Sequence, residues 1–153
     1  MCSSDLVLEE AGRRAGWGKA AKGRHQGVAV MEGYGTYLAM VAEISVEKGA
    51  LRIHRITCAV DCGQMVNPNI VDQQVSGGIV FGLSAALWGE VTLAGGAVQQ
   101  KNFGDYRLLR LNEMPEIDVH LLPSTEAPGG IGEPSVALVA PADRKSTRLN
   151  SSH

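Results

Sequence analysis

Cysteine is scarce in this sequence. There are three in all, and only Cys58 and Cys62 lie away from the N-terminus. Three residues separate the two, the wrong spacing for a zinc knuckle, and no second pair completes four ligands. Both fall on one strand-to-turn segment, which argues against a disulfide between them. Basic residues form no stripe and the chain carries a net −2, so nothing in it resembles a nucleic-acid footprint. No uninterrupted apolar run reaches the ~18 residues of a membrane span. No glycine-rich loop is followed by Lys and Ser/Thr, which excludes the usual phosphate-gripping NTPase loop.

The two ends break with the middle. Asp143 to His153 is a polar, Ser-rich, basic string without periodicity, and it resembles the translation of a sequencing adapter. Met1 to Leu6 resembles the same kind of sequence read from the opposite strand. Residues 1–6 and 143–153 are therefore expected to be artefacts, with a natural segment over 7–142. The tail contributes +2 (Arg144, Lys145 and Arg148 against Asp143) and the head −1 (Asp5), leaving the middle at −3.

That middle reads as α+β, with antiparallel hairpins supplying a sheet and one long helix packed on it. Val7 to Gly18 looks like the last turns of a helix, with Leu8 and Ala11 apolar and Gly16-Trp17-Gly18 ending it. Strands are expected over Gly27–Met31, Tyr34–Val46 and Leu51–Val60, with breaks at Gly33/Gly35 and Glu47-Lys48-Gly49. In the third, Leu51, Ile53, Arg55 and Thr57 would face one side and Arg52, His54, Ile56 and Cys58 the other. Asn67-Pro68 has the form of an N-cap followed by a first-turn proline, so a helix should run from Asn69 to Trp88. A short hairpin around Gly95-Gly96, an irregular stretch from Asn102 to Arg110 and a strand over Ile117–Leu122 follow.

Two places carry chemistry. In the long helix Val71, Val75, Ile79, Leu83 and Leu87 recur every four residues as an apolar stripe. A second row, Gln74, Gly78, Gly82 and Ala86, is small apart from its amide. Glycine in a helix costs roughly 1 kcal/mol relative to alanine, so something must approach this row closely. A tightly packed neighbour and a flat, rigid cofactor held by the Gln74 amide account for it equally well. The second place is Gly130-Ile131-Gly132-Glu133-Pro134-Ser135. Proline suits the first position of a helix, and the apolar run Val136–Ala140 could be that helix. Glu133 would stand at its entrance, where the macrodipole favours a carboxylate, and Gly132 would let a ligand come close. The plainer account is a capped helix after a loop.

Taken in order, the segments show more than any one of them. Val41-Ala42-Glu43-Ile44, Val60-Asp61-Cys62-Gly63, Asn67-Pro68, Gln74-Val75-Ser76-Gly77-Gly78-Ile79-Val80-Phe81-Gly82-Leu83 and Gly132-Glu133-Pro134 together resemble one family. It is the xanthine dehydrogenase/aldehyde oxidase family, in the C-terminal part of its molybdenum-cofactor-binding large subunit. Asn102-Phe103, Asp105-Tyr106, Leu108-Leu109-Arg110 and Pro123–Gly130 resemble the isoquinoline 1-oxidoreductase beta-subunit branch in particular. Three positions depart from that branch: Ser135 stands where glycine is usual, and Gly104 and Met31 where histidine is common.

The resemblance implies that Glu133 is the active-site base and that Gln74 hydrogen-bonds a pterin cofactor; the small row of the helix and the glycine turn would then put Gly78 and Gly132 against it as well. No residue of this chain is expected to bind the metal directly. The implied cofactor is molybdenum-pterin, in the cytosine dinucleotide form. The implied reaction hydroxylates an N-heteroaromatic compound or an aldehyde, with water as the oxygen source. Electrons would leave through iron–sulfur clusters on a small partner subunit, since no cluster-type cysteine array is present here. The opposing expectation is a non-catalytic α+β module, in which the glycine-rich turns serve only packing or subunit contact.

Overall fold

The computed structural model describes residues 3–136. Helix α1 (Ser3–Ala15) comes first, followed by strands β1 (His25–Gly33), β2 (Thr36–Glu47) and β3 (Ala50–Asp61). Helix α2 (Pro68–Trp88) leads to the small hairpin β4 (Leu93–Ala94) and β5 (Ala97–Val98), a 3₁₀ turn at Leu111–Glu113, and β6 (Glu116–Leu121). Ser3–Leu6, read from the sequence as outside the natural segment, form the first turn of α1, with Leu6 40% exposed. Residues 143–153 lie outside the described residues.

Local chemistry accounts for the element ends. Asn67 caps α2 by accepting from the N–H groups of Asn69 and Ile70, and Pro68 follows where no N–H is needed. Helix α1 ends in a left-handed Gly16, and Trp17 N–H reaches back to the Gly12 carbonyl at 2.9 Å. Tyr34-Gly35 and Lys48-Gly49 all have positive φ and close two-residue hairpins, whose twist matches that of the flanking strands.

The main sheet has the order β1-β2-β3-β6, antiparallel except for the last pair, in which β6 runs parallel to β3. The α+β class is as expected, but the sheet is mixed rather than built from antiparallel hairpins alone. A parallel pair needs a long crossover, and α2 with the segment after it supplies one.

Both faces of the sheet carry a helix, as the imperfect alternation of the third strand allowed. On one face Val75, Ile79 and Leu83 of α2 pack on Leu38, Met40, Ile56, Cys58 and Val60. On the other, Val7 and Ala11 of α1 pack on Ala39, Val41 and Ala59, while Leu8 faces outward. By length and mean hydropathy alone α2 could cross a membrane; here its Val75–Ile79–Leu83 stripe is core.

Strand β3 carries a bulge. Glu43 pairs with Arg55 and Ile44 with Ile53, which leaves His54 as the extra residue. Beyond it the side-chain parity flips, so Ile53 packs on the same cluster as Ile56 and Cys58 instead of siding with Thr57. The alternation, already imperfect in the sequence, breaks at this one residue.

Candidate functional site

The glycine-rich segment before Glu133 is laced to the core from several sides. Gly130 N–H donates to the Tyr34 carbonyl at 2.8 Å, and buried Thr36 donates its hydroxyl to the Gly130 carbonyl at 2.7 Å. Gly129 N–H reaches the Cys62 carbonyl at 2.9 Å. A Cβ on Gly129 would stand 2.4 Å from the Gly35 carbonyl oxygen, so only glycine lets the segment lie against the β1–β2 turn. The Gly33/Gly35 break and the Gly129-Gly130 pair were both visible in the sequence. Their contact with each other was not.

The chain then turns through Gly132, whose φ of 114° is a conformation that side-chain-bearing residues rarely adopt. Helical residues begin at Glu133, one position before the proline expected to open the helix, and continue to Val136. The apolar run beyond, 137–140, lies outside the described residues. Ser135 N–H and Val136 N–H both donate to the Gly132 carbonyl, at 3.1 and 3.3 Å. Glu133 is exposed.

Helix α2 meets this turn through its small row. A Cβ on Gly132 would lie 3.4 Å from Gln74 Oε1, and one on Gly78 would lie 2.6 Å from the Gly132 carbonyl oxygen and 2.0 Å from Ser135 Oγ. Gln74, Gly78, Gly132 and Glu133, far apart in the chain, are thus brought together. At Gly78 the space vacated by the missing side chain is filled by the turn itself, through Ser135. Gly77 differs: nothing lies within 4 Å of where its side chain would begin. Gln74, Gly77 and Glu133 are all exposed.

A pterin-type cofactor fits this surface. The Gln74 amide offers donors and an acceptor together, and Gly77 leaves room above the helix for a flat ring. Glu133 stands one residue from the Gly132–Gln74 contact. Among the described residues no cluster of three His, Cys, Asp or Glu side chains could hold a metal ion. Towards the opposite end of α2, a cleft of about 650 Å³ is lined by Arg52, His54, Leu83, Trp88, Arg107 and Asn112. The Arg107 guanidinium there sits 4.4 Å from the centre of the Trp88 ring. Of the candidate site residues Gln74, Gly78, Gly132 and Glu133, none lines that cleft.

The family profile described as molybdopterin cofactor-binding domain matches residues 8–115. The chain belongs to this family. The domain is 33% identical over 142 residues to isoquinoline 1-oxidoreductase subunit beta of Brevundimonas diminuta, covering 89% of this chain and 18% of that protein. It is 32% identical over 144 residues to the membrane-bound aldehyde dehydrogenase [pyrroloquinoline-quinone] of Gluconacetobacter polyoxogenes, covering 89% and 19%. In three dimensions it superposes on a crystal structure of the Cu,Mo-CO dehydrogenase with a TM-score of 0.68 at 23% identity, over 77% of this chain and 16% of that one. The chain therefore spans under a fifth of the length of the curated relatives it matches. At that identity the structural likeness speaks for the fold. Ser135 stood out in the sequence as a departure from the isoquinoline branch beside the Gly132-Glu133 turn; its packing against Gly78 was not legible there.

Proposed function

We propose that this domain is part of a molybdenum hydroxylase that oxidises an N-heteroaromatic compound or an aldehyde, with water as the oxygen donor. The observation that carries the reading is the meeting of Glu133, Gly132 and Gln74, brought together from α2 and the glycine-rich turn. Membership of a cofactor-binding family supports it, as do the activities in the printed names of the two relatives.

When bound, the cofactor supplies Lewis acidity and a sink for two electrons. This chain supplies the rest. Gln74 holds the ring edge through its amide, and Gly132 and Gly77 keep the approach clear. Gly78 acts at one remove, by seating the turn that bears Glu133. The Glu133 carboxylate would take the proton from the water-derived oxygen as that oxygen bonds to the substrate carbon, whose C–H bond breaks with its electron pair going to the cofactor's two-electron sink. The cytosine dinucleotide form of the cofactor and a small iron–sulfur partner subunit belong to the same proposal.

The test is Glu133→Gln in the full-length subunit with its partners. It keeps the shape and removes the basicity. General-base catalysis contributes about 10²–10⁴-fold, so turnover should fall by at least that lower bound while molybdenum content holds. Turnover within a few-fold of the parent at full metal loading would sink the assignment. A subunit that binds a quinone and no molybdenum would replace the cofactor.

A further inference from the structure

Ser135 is fully buried, and its hydroxyl donates to the Gly132 carbonyl at 2.6 Å. That carbonyl already receives the N–H groups of Ser135 and Val136. The hydroxyl occupies the space a Gly78 side chain would need, its oxygen 2.0 Å from where that Cβ would stand. One buried oxygen thus touches the peptide immediately before Glu133 and is locked against α2, one helical turn from Gln74.

A serine that bonds back to the carbonyl three residues earlier satisfies its own hydroxyl, and that alone would be a local matter. Two observations take it further. The carbonyl it holds belongs to Gly132, whose φ of 114° leaves the peptide without the steric guidance a side chain gives. The socket it fills lies on the helix that presents Gln74. The hydroxyl therefore fixes the Glu133 turn relative to the Gln74 amide, the distance on which a base facing a held cofactor depends.

We infer that Ser135 is a positioning residue for Glu133, keyed into a socket provided by Gly78. The inference rests on Glu133 being the base. A methyl group at 78 would meet both the Ser135 hydroxyl and the Gly132 carbonyl oxygen, so it cannot be seated without moving the turn.

The test uses the full-length subunit with its partners. A displacement of about 1 Å at a catalytic group can cost on the order of 10²-fold. Ser135→Ala should therefore lower turnover by roughly tenfold or more at unchanged molybdenum content. In a Glu133→Gln background the same change should lower turnover no further, because there is no base left to misplace. Gly78→Ala should lower the thermal unfolding midpoint and the molybdenum content, because its methyl would meet both the Ser135 hydroxyl and the Gly132 carbonyl oxygen. The inference is overturned by Ser135→Ala turnover within twofold of the parent, by an equal loss in both backgrounds, or by a parent-like unfolding midpoint in Gly78→Ala. Each of those results leaves Glu133 standing as the base. Full turnover by Glu133→Gln alone would instead remove the base, and this positioning role with it.

Discussion

Gln74 and Gly132 face each other closely enough that a Cβ on the glycine would lie 3.4 Å from the glutamine Oε1. They come from the second turn of α2 and from the far end of the described chain, so only the fold makes them neighbours. If the amide holds a cofactor at this junction, Gln74→Ala in the full-length subunit should lower cofactor occupancy. One hydrogen bond has a net worth of about 0.5–1.5 kcal/mol, so affinity should drop roughly two- to tenfold. Titrating apo-subunit with cofactor and counting molybdenum would show it. Parent-like affinity would leave Gln74 as a surface residue of the helix.

Gly129→Ala is expected to act on the site without touching it. The new methyl would meet the Gly35 carbonyl oxygen at 2.4 Å and the Thr36 hydroxyl at 2.5 Å. Backbone cannot yield as a flexible side chain does, so the segment must lift off the β1–β2 turn. Overpacking of this kind costs about 1–3 kcal/mol. Chemical denaturation should show a lowered midpoint, whereas Gly95→Ala, with open space around it, should lose less despite its left-handed backbone. Equal losses at the two positions would mean that the lacing to Tyr34 and Thr36 is not what holds the segment.

The two core cysteines give a simple check on the fold. Cys58 is fully buried, and burial pushes its thiol well above the usual range; the Cys62 thiol is also raised, chiefly by burial. The thiolate is the reactive form, so neither should react with iodoacetamide in the native chain, and both should react once it is unfolded. Prompt alkylation of Cys58 under native conditions would contradict its place between α2 and the sheet.

The parts legible in the sequence were those set by neighbours along the chain. The Asn67-Pro68 cap, the four-residue apolar stripe of α2 and the Lys48-Gly49 turn depend on nearby residues, and each stands where it was read. The bulge at His54 was not legible, because one extra residue in a strand leaves no mark except an alternation that fails to repeat. Nor was the parallel pairing of β6, which depends on where the crossover through α2 delivers the chain. In the site, Glu133 and Gln74 were visible as residue types in suggestive places. Gly78 was visible as a glycine that something must approach; that Ser135 is the group beside it follows only from the packing of α2 on the Gly132 turn.

Two histidines should make stability sensitive to mild acid. His54, on the bulge, has its Nε2 2.7 Å from Ser45 Oγ. Burial lowers its pKa below the ordinary 6.5, Arg24 and Arg52 push the same way, and Glu43 and Glu47 oppose them. His120 on β6 is lowered first by burial and then by Arg14, against Asp118 and Glu10, and its Nε2 is buried without a hydrogen-bond partner among the described residues. In both cases the unfolded chain takes up the proton at a higher pH than the folded chain does. Their contribution is therefore whole above the unfolded value of about 6.5 and is lost as pH falls through the lower folded values. Glu10 behaves alike in a lower window. Hydrogen bonding to Arg13 draws its pKa from 4.5 to about 2, but the pair is exposed and its effect is small. Urea midpoints measured from pH 7.5 down to 5 should fall, and His54→Gln together with His120→Gln should flatten that slope. An unchanged slope in the double variant would mean that the acid sensitivity resides elsewhere.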